Sequence, residues 1–217
     1  MSLDGAISLP PIAAPDVLCI ARNDTQTQND IGELSALFAK HSCLLFPAAF
    51  DAHFLDWLMD RADRANFVDD TVERLGTRMI ESPQRFGSAL MTVLERSNWL
   101  EWVERLTGIS PLESFAGRLV LHRAGGEDQL DWHDDLISPT RRVAVVINLS
   151  RNTYQGGNFE MRRRSEIRPH VSFRHSSPGS MMLFAVRPDL EHRLTPLVSG
   201  GPRRTFAGWL LSEPEAL

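Results

Sequence analysis

The amino-acid sequence predicts an α+β fold in which a helical first half leads into an all-β core. Two patterns carry this expectation. From residue 50 to 109 apolar side chains recur every three or four positions, the period of a helix with one buried face. After residue 115 they fall instead in eight short runs: "GRLVLHRA", "QLDWHDD", "RRVAVVINLS", "GGNFEMRRR", "HVSFRHS", "GSMMLFAV", "EHRLTPLV" and "RRTFAGWLLS". Short strands punctuated by Gly, Pro, Asn and Asp read as an antiparallel sandwich or barrel, not as parallel βαβ units. A chain of 217 residues suits one domain, 1–217, with a full core.

Taken in order, residues 1–15 read as an irregular arm, 16–114 as a mainly helical support and 115–212 as the β core. "VLCIA" (17–21) suits a first strand. "NDIGELSALFAKHS" places Ile31, Leu34, Leu37 and Phe38 on one helical face, with Asn29 or Asp30 to cap it, and "CLLFP" returns to strand. In "FDAHFLDWLMDRADRA", Phe54, Leu58, Ala62 and Ala65 form one stripe behind an Asp51 cap. Ser82 followed by Pro83 marks the start of the next helix, and Gly108, with Pro111 beyond it, the end of the last.

Composition excludes several classes. With 42% apolar and 24% charged residues the chain is neither disordered nor membrane-like, and no apolar run approaches the roughly 18 residues of a transmembrane helix. The N-terminal stretch lacks a basic segment followed by an apolar one, so no secretory signal and no membrane partner are expected, and a cytoplasmic location follows. A net charge of −5 argues against nucleic acid as a partner, and "EMRRRSEIR" (160–168) reads as a solvated strand end. The two cysteines, Cys19 and Cys43, sit among apolar neighbours and read as free thiols. No GxSxG, HExxH or GxxxxGKS pattern occurs, which leaves serine hydrolase, zinc peptidase and P-loop readings without support.

One stretch stands apart. "DWHDDLIS" (131–138) sets His133 and Asp135 two residues apart. In an extended strand such residues share a face, which would turn Trp132 and Asp134 away. By itself the pair is a weak signal and reads first as a surface turn. His192 lies several strands downstream, where the chain can return beside His133. Two imidazoles and one carboxylate on one side of an ion suit non-haem Fe(II), because three positions stay open, whereas a structural zinc site closes all four, usually with thiolates. Arg203 follows, with Thr205 on the same strand face; a guanidinium fork and a hydroxyl together can hold a carboxylate. A register shift of one residue would present Arg204 instead. Trp209, in phase with Arg203, would close the cavity base or simply fill core. His170 and His175 flank a strand as cavity-mouth or plain edge residues, and His41 and His53 read as surface or packing residues.

The order "HDD", "GGNF", "PGSMMLF", "EHRLTPL", "GPRRT" and "GW" over residues 117–212 resembles the Fe(II)- and 2-oxoglutarate-dependent dioxygenases, in the branch similar to prolyl hydroxylases. The resemblance implies a double-stranded β-helix, the jelly-roll of cupin-like proteins, with the N-terminal helices as support. It implies that His133, Asp135 and His192 bind Fe(II), and that Arg203, aided by Thr205, holds the distal carboxylate of 2-oxoglutarate. Where relatives often place tyrosines near the co-substrate, this chain offers His122 and Asn148, as donors or as satisfied core polar residues. An extra glycine between His192 and Arg203 departs from the usual spacing. The implied reaction is hydroxylation of an amino-acid, peptidyl or small-metabolite substrate by dioxygen with release of succinate and CO2, ascorbate serving where a reductant is needed. A cupin-like metal- or ligand-binding module without turnover is the alternative, and a metal-free interaction sandwich ranks below both. Substrate choice would lie in loops 50–82, 124–130 and 163–177, and oligomeric state is left open.

Overall fold

The computed structural model describes residues 11–14, 16–125 and 128–214. The irregular arm expected at 1–15 lies outside the described residues except for 11–14, which run parallel to an edge strand: Ala13 N donates to Leu45 O, and Leu45 N to Pro11 O, both at 2.9 Å.

In chain order the elements are β1 (Leu18–Ile20), β2 (Thr25–Thr27), α1 (Gly32–His41), β3 (Cys43–Phe46), α2 (Ala52–Asp63), β4 (Phe67–Val72), β5 (Gly76–Glu81), α3 (Phe86–Leu94) and α4 (Ser97–Thr107). There follow β6 (Ser114–His122), β7 (Leu130–His133), β8 (Arg141–Asn148), β9 (Tyr154–Gly156), β10 (Asn158–Arg163) and β11 (Val171–Arg174). The chain then runs through β12 (Met181–Ala185), β13 (Leu190–Leu194), β14 (Leu197–Gly200) and β15 (Arg203–Leu211). A major sheet in the order β3-β12-β8-β15-β6-β5-β4 faces a minor sheet in the order β11-β10-β13-β7, and the pairings within both are antiparallel. This is the jelly-roll architecture expected from the short, punctuated strands.

Strand alternation decides what each face of the major sheet does. Val143, Val145 and Ile147 of β8, Leu183 of β12 and Phe206 and Leu210 of β15 face the helices and are fully buried. Phe206 packs between Phe115 and Phe86, with ring centroids 5.8 and 5.9 Å away, while Trp102 of α4 stacks on Trp99 and meets Phe46. Each such ring contributes about 1.5–3 kcal/mol by leaving water, so the helices are held mainly by this layer. The alternate residues, Ala144 and Val146 of β8 and Met182 and Phe184 of β12, face inward and meet Phe159, Met161, Val171 and Phe173 of the minor sheet. One end of that inter-sheet space stays hollow, and there the site lies.

The support is less helical than the periodicity from 50 to 109 suggests. Residues 67–81 form a hairpin, β4 and β5, that extends the major sheet beyond β6. Gly76 explains why the chain cannot be helical here. Its φ is +141°, and a Cβ on it would lie 2.2 Å from the Gln129 carbonyl oxygen. Only glycine lets β5 pass so close to the segment entering β7, and Thr77 O and Leu75 O then accept from Gln129 N and Asp131 N at 3.1 and 2.8 Å.

Helix ends also differ. Asp51 caps α2 by accepting from Phe54 N at 3.0 Å, and Gly108 ends α4 in the left-handed conformation, both as expected. Helix α1, however, begins after Ile31 without a side-chain cap; Asp30 only accepts from Gly32 N at 3.4 Å, and Asn29 makes no cap. Ser82 does not cap α3. The buried Glu81 carboxylate does, taking Phe86 N at 2.8 Å and Gly87 N at 3.3 Å, a negative group where the helix dipole favours one.

Candidate metal centre and cavity

Strands β7 and β13 are neighbours in the minor sheet, and their register sets His133 directly opposite His192. Directly paired residues project to one side, so the two imidazoles stand together with centroids 4.2 Å apart. Asp135 joins them by a different route from the alternation expected. β7 ends at His133, and Asp135 sits just beyond it in a left-handed turn with φ +61°. That turn folds the carboxylate back: its Oδ1 is 3.5 Å from His133 Nε2 and its Oδ2 3.3 Å from His192 Nε2. One donor atom from each residue lies within 4.8 Å of the other two. Asp134 turns away, to Arg164 at 2.7 Å, and Trp132 turns away to lie between the guanidinium groups of Arg162 and Arg193.

The donors are prepared for a cation. His133 Nδ1 lies 2.6 Å from the Asp131 carbonyl oxygen. A carbonyl only accepts, so Nδ1 carries the proton and Nε2 faces Asp135 with a free lone pair. Burial, followed by the charge of His192, lowers the His133 pKa to about 4, which keeps the ring neutral. Burial alone would raise the Asp135 carboxyl, but the facing His192, His133 and the Trp209 indole hold it well below the usual carboxylate range. Trp209 Nε1 donates to Asp135 Oδ2 at 2.9 Å, and the Arg141 guanidinium lies 3.6 Å from the Trp209 ring centroid. Two imidazoles and one carboxylate, converging at the hollow end of a jelly-roll, fit a divalent iron with open positions.

The cavity runs from this cluster along the inner face of the major sheet to Arg203. Arg203 and Thr205 both line it, and Arg203 is only 4% exposed. One of its Nη atoms reaches Thr205 Oγ1 at 3.3 Å and His122 Nδ1 at 3.4 Å, while its Nε has no partner. A guanidinium only donates, so His122 Nδ1 accepts and Nε2 carries the proton. That Nε2 is also buried without a partner. Burial and then the Arg203 charge push the His122 pKa well down, so the ring is neutral. Two buried donors without partners in one hollow suit an acceptor with several lone pairs, and the distal carboxylate of 2-oxoglutarate fits them.

Arg204 faces the other way, pairing with Asp63 of α2 at 3.0 Å. Asn148 stands on the cavity face but does not line the cavity. Its Nδ2 donates to the His175 carbonyl at 2.5 Å and lies 3.4 Å from the Tyr154 hydroxyl, and its Oδ1 accepts from Ser150 N. The co-substrate role expected of it is therefore corrected to anchoring the chain around β9. His170 and His175 are not at the cavity mouth: His170 lies near the His41 carbonyl, and His175 is buried with Nε2 2.8 Å from Ser180 Oγ. Sequence reasoning missed the Trp209 bond to Asp135, although the phase of Trp209 with Arg203 pointed inward. It also missed Arg78 and Arg118 on the cavity wall. Arg118 is in phase with His122 along β6, which was a readable signal.

Residues 119–211 match the 2OG-Fe(II) oxygenase superfamily. No curated protein matches significantly. Among solved structures the chain is similar to an oxidoreductase of the 2OG-Fe(II) oxygenase family from Burkholderia pseudomallei, at 17% identity and TM-score 0.66 over 88% of this chain and 94% of that one. It is also similar to a Pseudomonas putida prolyl-4-hydroxylase, at 16% identity and TM-score 0.59 over 85% and 100% of the two chains. A Trichoplax adhaerens prolyl hydroxylase, in complex with a peptide fragment of hypoxia inducible factor, shares 14% identity with TM-score 0.59 over 82% and 87%. These likenesses concern the fold.

Proposed function

We propose that this chain, an enzyme whose β core over residues 119–211 is that of the 2OG-Fe(II) oxygenase superfamily, hydroxylates an amino-acid, peptidyl or small-metabolite substrate, with dioxygen and 2-oxoglutarate consumed and succinate and CO2 released. The superfamily's cofactors are Fe(II) and 2-oxoglutarate. His133, Asp135 and His192 would hold the iron; Arg203, Thr205 and His122 would hold the distal carboxylate of 2-oxoglutarate. When bound, the two together supply oxygen activation, one oxygen atom leaving in succinate and the other entering the substrate.

The chain's own residues supply position and exclusion of water. The His133–His192 register sets both imidazoles on one side of the sheet, where they would hold the ion, and the Trp209 bond to Oδ2 fixes the Asp135 carboxylate beside them. Arg203 and the Nε2–H of His122 orient the co-substrate along the cavity with charge-assisted bonds in a dry setting. Apolar walls from Val146, Met182 and Phe184 keep bulk water from the reacting end.

The observation that carries this reading is the pairing of three candidate metal donors within 4.8 Å at one end of a cavity with a buried guanidinium whose Nε has no partner at the other. A metal-binding module without turnover would have no use for that second feature. Screening amino-acid, peptide and metabolite pools for Fe(II)-dependent succinate formation tests it. Stimulation by one pool, abolished in Asp135→Ala, is expected; equal succinate release by Asp135→Ala and the natural chain would overturn it.

A further inference from the structure

We propose that Arg118 anchors an anionic group of the substrate, a carboxylate or phosphate carried on a small molecule with an apolar body. This rests on the oxygenase reading above and names the substrate class it takes. Strand β6 lays Arg118, Val120 and His122 along the cavity wall. His122 pairs with Arg203 across the β6–β15 ladder, at the co-substrate's end. Arg118 pairs with Ala207, between Thr205 and the Trp209 that holds Asp135. Four residues of strand separate the two positions, roughly 13 Å along the sheet, so Arg118 belongs to the metal's end of the cavity and not to the co-substrate's.

Charge bookkeeping isolates it further. Four arginines line the cavity, against Asp135 as the single lining carboxylate. Arg78 is held by Asp70 at 2.7 Å and Arg193 by Glu160 at 2.7 Å. Arg203 faces the place of the co-substrate carboxylate. Among the described residues the Arg118 side chain has neither an ion pair nor a hydrogen bond, and the residue is half-buried. The wall around it is otherwise apolar, with Val120, Val146, Met182, Phe184 and Ala207. A cation part-way out of water on an apolar wall attracts an anion more strongly than one in bulk solvent, and its fork matches a carboxylate or phosphate. The surrounding surface suits hydrocarbon, which leaves a C–H bond to face the metal position while the anion fixes the orientation.

Calorimetry on the full chain loaded with Fe(II) and 2-oxoglutarate under argon tests this with three probes: 3-phenylpropionate, phenyl phosphate and the neutral 3-phenylpropanamide. At least one anion is expected to bind about ten- to a hundredfold more tightly than the amide, the range of a charge-assisted bond, and which anion wins tells carboxylate from phosphate. Arg118→Gln should erase that preference and Arg118→Lys retain part of it, while the 2-oxoglutarate affinity read in the same samples moves less than twofold. Anions binding no better than the amide, or an Arg118→Gln protein that keeps the preference, would overturn the proposal while leaving the oxygenase reading intact. A natural chain that takes up neither iron nor 2-oxoglutarate would remove both.

Discussion

At the scale of single residues, the contact of greatest consequence is the indole of Trp209 on Asp135. A carboxylate with free rotation would share its two oxygens between the imidazoles and solvent; the bond at 2.9 Å, with Arg141 stacked on the ring, removes that freedom. Partners of this kind are worth about ten- to a hundredfold in metal affinity. Trp209→Phe, which keeps the ring and loses the donor, is expected to weaken Fe(II) or Mn(II) binding about tenfold with little change in unfolding temperature, as read by metal titration beside thermal melts. The two neighbouring arginines give a second contrast. Arg203→Lys loses the planar fork and should raise the KM for 2-oxoglutarate at least about tenfold. Arg204→Ala should leave that KM alone and cost about 1 kcal/mol of stability through the lost Asp63 pair. Steady-state kinetics and denaturant titration separate the two outcomes.

At the scale of elements, the β4–β5 hairpin and β7 depend on each other through Gly76. Gly76→Ala forces a Cβ against the Gln129 carbonyl and requires a positive φ that alanine resists. A loss of about 2 kcal/mol or more in unfolding free energy is expected. Because Gln129 leads directly into the strand bearing His133, iron affinity should fall with it, and a Gly76→Ala protein as stable as the natural chain would contradict the close approach. The same hairpin shows why the first half was less legible than the second. Phe67, Val68, Val72, Leu75, Met79 and Ile80 are spaced like a helical face when read locally, and only the pairing with β6 and the contact with Gln129 reveal strands. The core strands were legible because burial on one face and turn residues at their ends are both local signals. His133, Asp135, His192 and Arg203 were readable as a set, but the reason Asp135 reaches the site was not. Its left-handed turn replaces the alternation that first suggested it, and nothing in "HDD" specifies a φ of +61°. The fate of Asn148 was hidden for a similar reason: its partners, Tyr154 and the His175 carbonyl, lie on segments whose approach is tertiary.

At the scale of the whole molecule, two fully buried imidazoles make the fold sensitive to acid. Burial and the Arg203 charge lower the pKa of His122 well below 6.5 and that of His175 to about 3. In the unfolded chain both titrate near 6.5, so below that pH the unfolded state binds more protons than the native one. Stability is therefore full above about pH 6.5 and declines as pH falls toward 3, by about 1.4 kcal/mol per pH unit for each such group. Urea unfolding of the metal-free chain across this window, where His133, lowered to about 4, adds a third such imidazole, should show the summed slope, and His175→Gln should reduce it by about one proton; an unchanged slope would mean that His175 is protonated in the folded state. Burial also pushes the Cys43 thiol far above its ordinary value, so the native protein should resist alkylation at Cys43 at pH 8 and yield there only on unfolding. No helix among the described residues is long and apolar enough to cross a membrane. The hollow between the sheets carries the His133, Asp135 and His192 donor atoms at one end and the Arg203 guanidinium at the other.

The most direct measurement is the stoichiometry of iron taken up by the natural chain and by Asp135→Ala, by anaerobic dialysis with elemental analysis. One tightly held iron per natural chain and a loss of at least about a hundredfold in affinity in the variant are expected if His133, Asp135 and His192 share a single ion. Equal iron content in the two proteins, or none in the natural chain, would contradict that claim.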